Sequence, residues 1–117
     1  MKEQLKAAEK LVYKEQYPAA IEKLKEALIQ DDESADAWNL LGFASRKSGD
    51  LDTAKDAYSR ALVLNGNHLG ALQYQGELFI TLGQIDNAKT NLTRLNDVCP
   101  SGCEEQAELA AAIVAAE

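Results

Sequence analysis

Small and apolar residues recur along this chain at intervals of three and four, the spacing of one helical face, as at Ile21, Leu24, Ala27 and Leu28. The arrangement then repeats. Gln4, Ala7, Ala8 and Leu11 align with Trp38, Leu41, Gly42 and Ser45, and again with Leu72, Gln75, Gly76 and Phe79, at steps of 34 residues. The following stretches keep the same register: Ala20, Leu24 and Ala27, then Ala54, Tyr58 and Ala61, then Ala88, Leu92 and Leu95. A fixed period of this length, without insertion, marks a stack of identical supersecondary units. Each unit holds two helical patterns, which predicts helices near 2–14, 17–30, 35–48, 51–64, 69–82 and 85–98.

The punctuation agrees with this division. Pro18 falls at a first-turn position, where its missing N–H removes no helical bond. Gly49-Asp50 and Gly83-Gln84 read as a left-handed helix ending followed by a new start. Ala8, Gly42 and Gly76 are small enough to let the paired helix approach closely, and Ala20, Ala54 and Ala88 offer it a matching surface. Ser101 to Glu117 reads as a seventh helix, opened by a capping box from Ser101 to Glu104. In repeat register it presents Gln106, Leu109, Ala110 and Ile113, a first helix without its partner. A stack needs such a cap, because the last unit otherwise exposes its stacking face.

These positions resemble the tetratricopeptide repeat (TPR), whose pattern is W-x2-L-G-x2-Y followed by spaced Ala, Phe, Ala and Pro. Residues 35–68 match best, through Trp38, Leu41, Gly42, Ala54, Tyr58 and Ala61. Residues 69–102 match through Leu72, Gly76, Phe79, Ala88, Leu92 and Pro100, and residues 1–34 through Ala8, Leu11, Ala20, Leu24 and Ala27. Gln4, Ser45, Gln75 and Gly66 depart from the pattern. The resemblance implies an all-α fold over residues 1–117 as a single domain: a right-handed superhelix, or α-α solenoid, of three repeats plus a capping helix at about 102–116.

Composition narrows the partners. Net charge is −7, which disfavours a nucleic-acid backbone or an anionic membrane surface. No apolar run is long enough to span a bilayer, so no membrane insertion is expected. The start, Met1 to Lys6, has no apolar signal core. A complete gene product would then be cytoplasmic, and a processed fragment periplasmic or exported.

Little in the chain reads as chemistry. His68 is the one histidine, and no acid–base pair converges on it by spacing, so it reads as a surface or loop-packing residue. No phosphate loop, nucleophile elbow or paired-histidine metal motif occurs. No catalysis, cofactor or metal is expected. Cys99-Pro-Ser-Gly-Cys103 lacks the redox C-x-x-C spacing and has no second pair with which to hold zinc. Two packed free thiols and a disulfide both stay open, and a bridge over so short a loop would add about 2 kcal/mol at most. The ending also resembles that of short bacterial TPR proteins, some of them exported.

Family resemblance also selects a surface. First helices of TPR units line a concave groove that receives an extended peptide or a helix. The corresponding positions here include Leu5, Glu9, Val12 and Tyr13, then Asn39, Phe43, Arg46 and Lys47, then Gln73, Glu77 and Ile80. Asn39 and Gln73 can both donate to and accept from a peptide backbone. Arg46 and Lys47 make a basic spot in an acidic chain. The register that grips chaperone C-terminal tails holds Leu5, Glu9, Leu40, Gly70 and Tyr74, so that clamp is absent. The expected function is a protein–protein interaction scaffold or adaptor that binds a protein or peptide ligand. The alternative is a self-assembly module making a homo-oligomer, motivated by the apolar Ala111, Ala112, Val114, Ala115 and Ala116 of the tail.

Overall fold

A computed structural model describes residues 2–117. These residues form seven α-helices and no strand: α1 Lys2–Tyr13, α2 Tyr17–Gln30, α3 Ala35–Lys47, α4 Leu51–Leu64, α5 Leu69–Thr81, α6 Ile85–Val98 and α7 Glu104–Ala116. The first six lie within a residue of the spans expected from periodicity. Two compact units divide the chain after Asn65, the first holding α1–α4 and the second α5–α7.

In the first unit, α1 packs on α2, α2 on α3 and α3 on α4. Their shared core is Ala8, Leu24, Leu28, Ala37, Leu41 and Ala57, with Leu5, Ile21, Trp38 and Leu40 packed against it. Each leucine fully withdrawn from water contributes about 1.5–3 kcal/mol. Alanines on both helices keep the axes close enough for that burial. Gly42 takes the logic to its limit, since a Cβ there would stand 2.6 Å from the Tyr58 ring of α4. Tyr58 is fully buried against that gap.

Helix ends follow the turn chemistry. Ser34 Oγ accepts from the Ala37 amide at 3.1 Å and caps α3. Asp50 caps α4 by accepting from the Thr53 amide at 3.1 Å and the Thr53 hydroxyl at 2.6 Å. Those two bonds hold its carboxyl below the ordinary carboxylate value, with a smaller contribution from Lys25. Gly49 and Gly83 adopt φ of 88° and 76°, the left-handed helix ending expected of them. Glu15, one 34-residue period before Gly49, has φ of 60° without being glycine.

In the second unit α5 packs on α6, and α7 packs on both. His68 Nδ1 accepts from the Ala71 amide at 3.0 Å, so this histidine is the N-cap of α5. It stands one period after Ser34 and does the same work. Gly76 does not serve the paired helix as expected. A Cβ there would meet the Leu109 side chain of α7 at 2.6 Å, so its missing side chain makes room for the last helix. Gln75 departs from the usual leucine and is matched by a second departure. It stands one period after Leu41, and Asn91 one period after Ala57. Asn91 Nδ2 donates to Gln75 Oε1 at 2.9 Å and to the Leu72 carbonyl at 3.1 Å. An amide pair thus replaces an apolar one.

The expected Ser101–Glu104 capping box is not formed. Gly102 has φ of 93° and its amide donates to the Cys99 carbonyl, so Ser101 belongs to a turn and Cys103 is the N-cap, with no side-chain bond. Cys99 and Cys103 are joined by a disulfide across this turn. Their Cα atoms are 6.0 Å apart, within the normal span of such a bridge. Leu109 and Ile113 bury the inner side of α7, and Gln106 donates to Asn96 Oδ1 at 2.6 Å.

Candidate functional site

The first unit brings together residues of α1 and α3 that the register selects. Tyr13 ends α1 with 90% of its surface exposed. Glu9 is exposed too, whereas Val12 is half-buried and Leu5 packs against the core. On α3, Phe43 is half-buried and meets the Tyr17 ring of α2 edge-on, with centroids 6.3 Å apart and planes at 62°. Lys47 places its ammonium 5.5 Å from the Phe43 centroid, close enough for a cation–π attraction. Arg46 and Asn39 are half-buried beside it in sequence register, and Asn39 Oδ1 is enclosed. The chemistry of this face is aromatic and cationic. Its aromatic is propped from behind, so its rotamer is set before any ligand arrives.

The α5 residues of the second unit present the opposite character. Gln73 is not an open contact, as expected for a groove residue, but is buried to 4% exposure. Its Nε2 donates to Glu77 Oε2 at 2.9 Å and to Glu108 Oε2 of α7 at 2.6 Å. A buried amide can keep this position only because both carboxylates accept from it. Ile80 is half-buried about two turns further along α5. Beside Gln73, the Tyr74 hydroxyl has its pKa raised above the ordinary value of 10.0, first by burial and then by Glu77, Glu108, Glu105 and Glu104. This face therefore carries negative potential. A ligand carboxylate would be repelled here, which agrees with the missing tail clamp.

Comparison with known proteins places this arrangement. The model of the tetratricopeptide repeat matches residues 35–68. A TPR repeat-containing protein of Pseudomonas aeruginosa is 34% identical over 71 residues, covering 61% of this chain and 67% of that protein. The chain belongs to the tetratricopeptide repeat family. Solved TPR structures extend the likeness to nearly every residue. The Yersinia enterocolitica type III secretion translocator chaperone SycD has a TM-score of 0.87 at 16% identity, covering 98% of this chain and 81% of its own. PcrH in complex with the chaperone-binding region of PopD has a TM-score of 0.84 at 19% identity, covering 97% and 89%. The first TPR of Spaghetti bound to an HSP90 peptide also scores 0.84 at 19% identity, covering 96% and 89%. These superpositions show the shared fold, an all-α helical repeat solenoid.

Within the TPR frame, the residues that sequence reasoning missed come from other helices. Tyr17 supports Phe43 from α2, and Glu108 closes over Gln73 from α7. Tyr17 lies on a second helix and Glu108 falls outside the groove positions of the register, so only packing brings them to the face. Among the described residues no group of three or more His, Cys, Asp or Glu could hold a metal, and no helix is long and apolar enough to cross a membrane.

Proposed function

We propose that this TPR chain is a non-catalytic interaction module, an adaptor or scaffold that holds an extended peptide or a helix of a partner protein. The face we assign in the first unit is that of Tyr13, Asn39, Phe43, Arg46 and Lys47. One observation carries the assignment: Phe43 is braced by Tyr17 on one side and approached by Lys47, with Tyr13 left open to solvent. That combination suits a peptide with an apolar side chain next to a carboxylate. Arg46 and Lys47 complement the C-terminal end of the α3 dipole, and the same charge would favour an anionic contact. On α5, Glu77 and Ile80 would meet apolar and basic groups, with Gln73 held as their support. The solved structures named above support the reading, since SycD is a translocator chaperone and PcrH and Spaghetti are each in complex with a segment of another protein.

Site-specific photo-crosslinking in the host cell tests it. A photoreactive amino acid at position 13 or 47 should capture one partner protein, whereas positions 22 and 55 should not. Equal capture from all four positions, or none from 13 and 47, overturns the assignment. Self-assembly is favoured separately by Val114 of α7, which is 76% exposed. Sedimentation velocity over a hundredfold concentration range would show a rising coefficient if that reading holds.

A further inference from the structure

Trp38 packs against the core of the first unit without being enclosed by it. It is half-buried, and its indole N–H donates to the Asp32 carbonyl at 2.7 Å. Arg60 of α4 lies over the ring at 5.0 Å from its centroid and is itself fixed by Asp56 at 3.0 Å. Two hollows, of about 470 Å³ and 520 Å³, share Asp32, Trp38, Asp56 and Arg60 as walls. Lys25, Leu28, Ile29 and Leu41 extend one, and Glu33, Ser59, Val63 and Leu64 extend the other, so Lys25 stands on the Ile29 side and Glu33 on the Val63 side. None of Tyr13, Asn39, Phe43, Arg46 or Lys47 lines either hollow.

Two features of this cleft are unexplained by folding. Ile29 and Val63 are each 86% exposed, and they occupy the same repeat position, where the third repeat has Asp97. An exposed helix position has no need of a β-branched aliphatic, which lowers helix propensity slightly. Single exposed hydrophobes are ordinary, but these two flank one tryptophan-walled cleft. Asp32 and Glu33 also line the cleft, and among the described residues neither has an ion-pair partner. Apolar walls beside unpaired negative charge define a complementary ligand.

We infer that the cleft between α2, α3 and α4 is a second docking surface, for a short linear peptide of a partner protein carrying an aliphatic side chain next to an Arg or Lys. The aliphatic group enters against Trp38 between Ile29 and Val63. Its neighbouring cation meets Asp32 and Glu33. Arg60, paired with Asp56, lies over the indole, and the indole N–H is already held by the Asp32 carbonyl, which lowers the cost of ordering the site. The same carboxylates disfavour an anionic phospholipid surface.

Trp38 is the chain's single tryptophan, so its emission reports on this cleft alone. A random tryptophan-free dodecapeptide library displayed on phage, panned on the full chain, supplies the probes. Enriched peptides should share an aliphatic–cationic pair and shift Trp38 emission on titration. They should bind the Ile29→Asp/Val63→Asp double variant at least about tenfold more weakly. Tyr13→Ala/Lys47→Glu should bind them as the unmodified chain does, which separates this cleft from the α1–α3 face. The aspartate variant should stay folded and melt only slightly below the unmodified chain, because both replaced side chains are in solvent but a carboxylate in a last helical turn opposes the macrodipole. The inference fails if panning enriches nothing, or if the enriched peptides bind the aspartate variant equally well. It fails too if Trp38 emission moves with protein concentration alone, which indicates a second copy in the cleft, or with anionic phospholipid vesicles.

Discussion

The two units solve one packing problem in different ways. In the first, the gap left by Gly42 is filled by Tyr58 of the same repeat. In the second, the equivalent gap at Gly76 is filled by Leu109, from a helix outside the repeat. The positions held by Leu41 and Ala57 in the core of the first unit are held by the hydrogen-bonded Gln75 and Asn91 in the second. So the middle repeat carries its own closure, and the last repeat borrows closure from α7. A 34-residue period conserves the geometry of the gap, not the identity of what fills it.

Removing the borrowed side chain tests that contrast most severely. Leu109→Ala empties a fully buried site and should lower stability by about 2–5 kcal/mol, read by denaturant melts. Amide exchange should speed up first in α5 and α6. Unchanged exchange there would mean that the third repeat closes without α7.

Filling the two gaps comes next. Gly42→Ala drives a methyl into the rigid Tyr58 ring, and about 1–3 kcal/mol of destabilisation is expected from overpacking. Gly76→Ala meets only the branched end of Leu109, and alanine's higher helix propensity offsets part of the strain. Its cost should be smaller, and Leu109→Val should rescue it. Equal costs at the two glycines would erase the difference between the units.

The amide pair offers a finer cut. Gln75→Leu alone strips Asn91 of one acceptor in a buried site and should cost about 1–3 kcal/mol. Gln75→Leu/Asn91→Ala recreates the Leu41–Ala57 combination and should recover most of the loss. Additive losses in this double-mutant cycle would show the two departures to be independent.

The smallest difference lies in pH dependence. Asp50, in the first unit, has a lowered pKa, so its contribution is present above its ordinary value of 3.8 and is lost as pH falls through the folded value. Asp50→Asn should flatten that acid limb. Tyr74, in the second unit, has a raised pKa. Its contribution is present below 10.0 and is lost as pH rises through the folded value, because the unfolded chain ionises first. Tyr74→Phe should flatten the alkaline limb and leave the acid limb alone. Melts from pH 3 to 11 separate the two.

Helix number, helix ends and most of the buried apolar positions were legible in the 34-residue period, because helical spacing and turn chemistry are local and repeat with the chain. Gly49 and Gly83 could be assigned their left-handed turns for the same reason. Glu15 makes the same hydrogen-bonded helix ending with φ of 60°, its amide on the Val12 carbonyl and the Gln16 amide on the Leu11 carbonyl, but a glutamate carries no residue signal for that turn. The capping box at Ser101 was misread because the Cys99–Cys103 turn stops the chain short of a helix there. At the candidate faces, register alone selected Tyr13, Phe43 and Lys47 on first helices. It could not tell that Gln73 would be closed over by Glu108, or Phe43 braced by Tyr17. Nor could it show that Trp38 would stand in a cleft with Ile29 and Val63. Periodicity states which side of its own helix a residue occupies. Whether that side ends up covered depends on side chains arriving from other helices, and only the tertiary structure decides that.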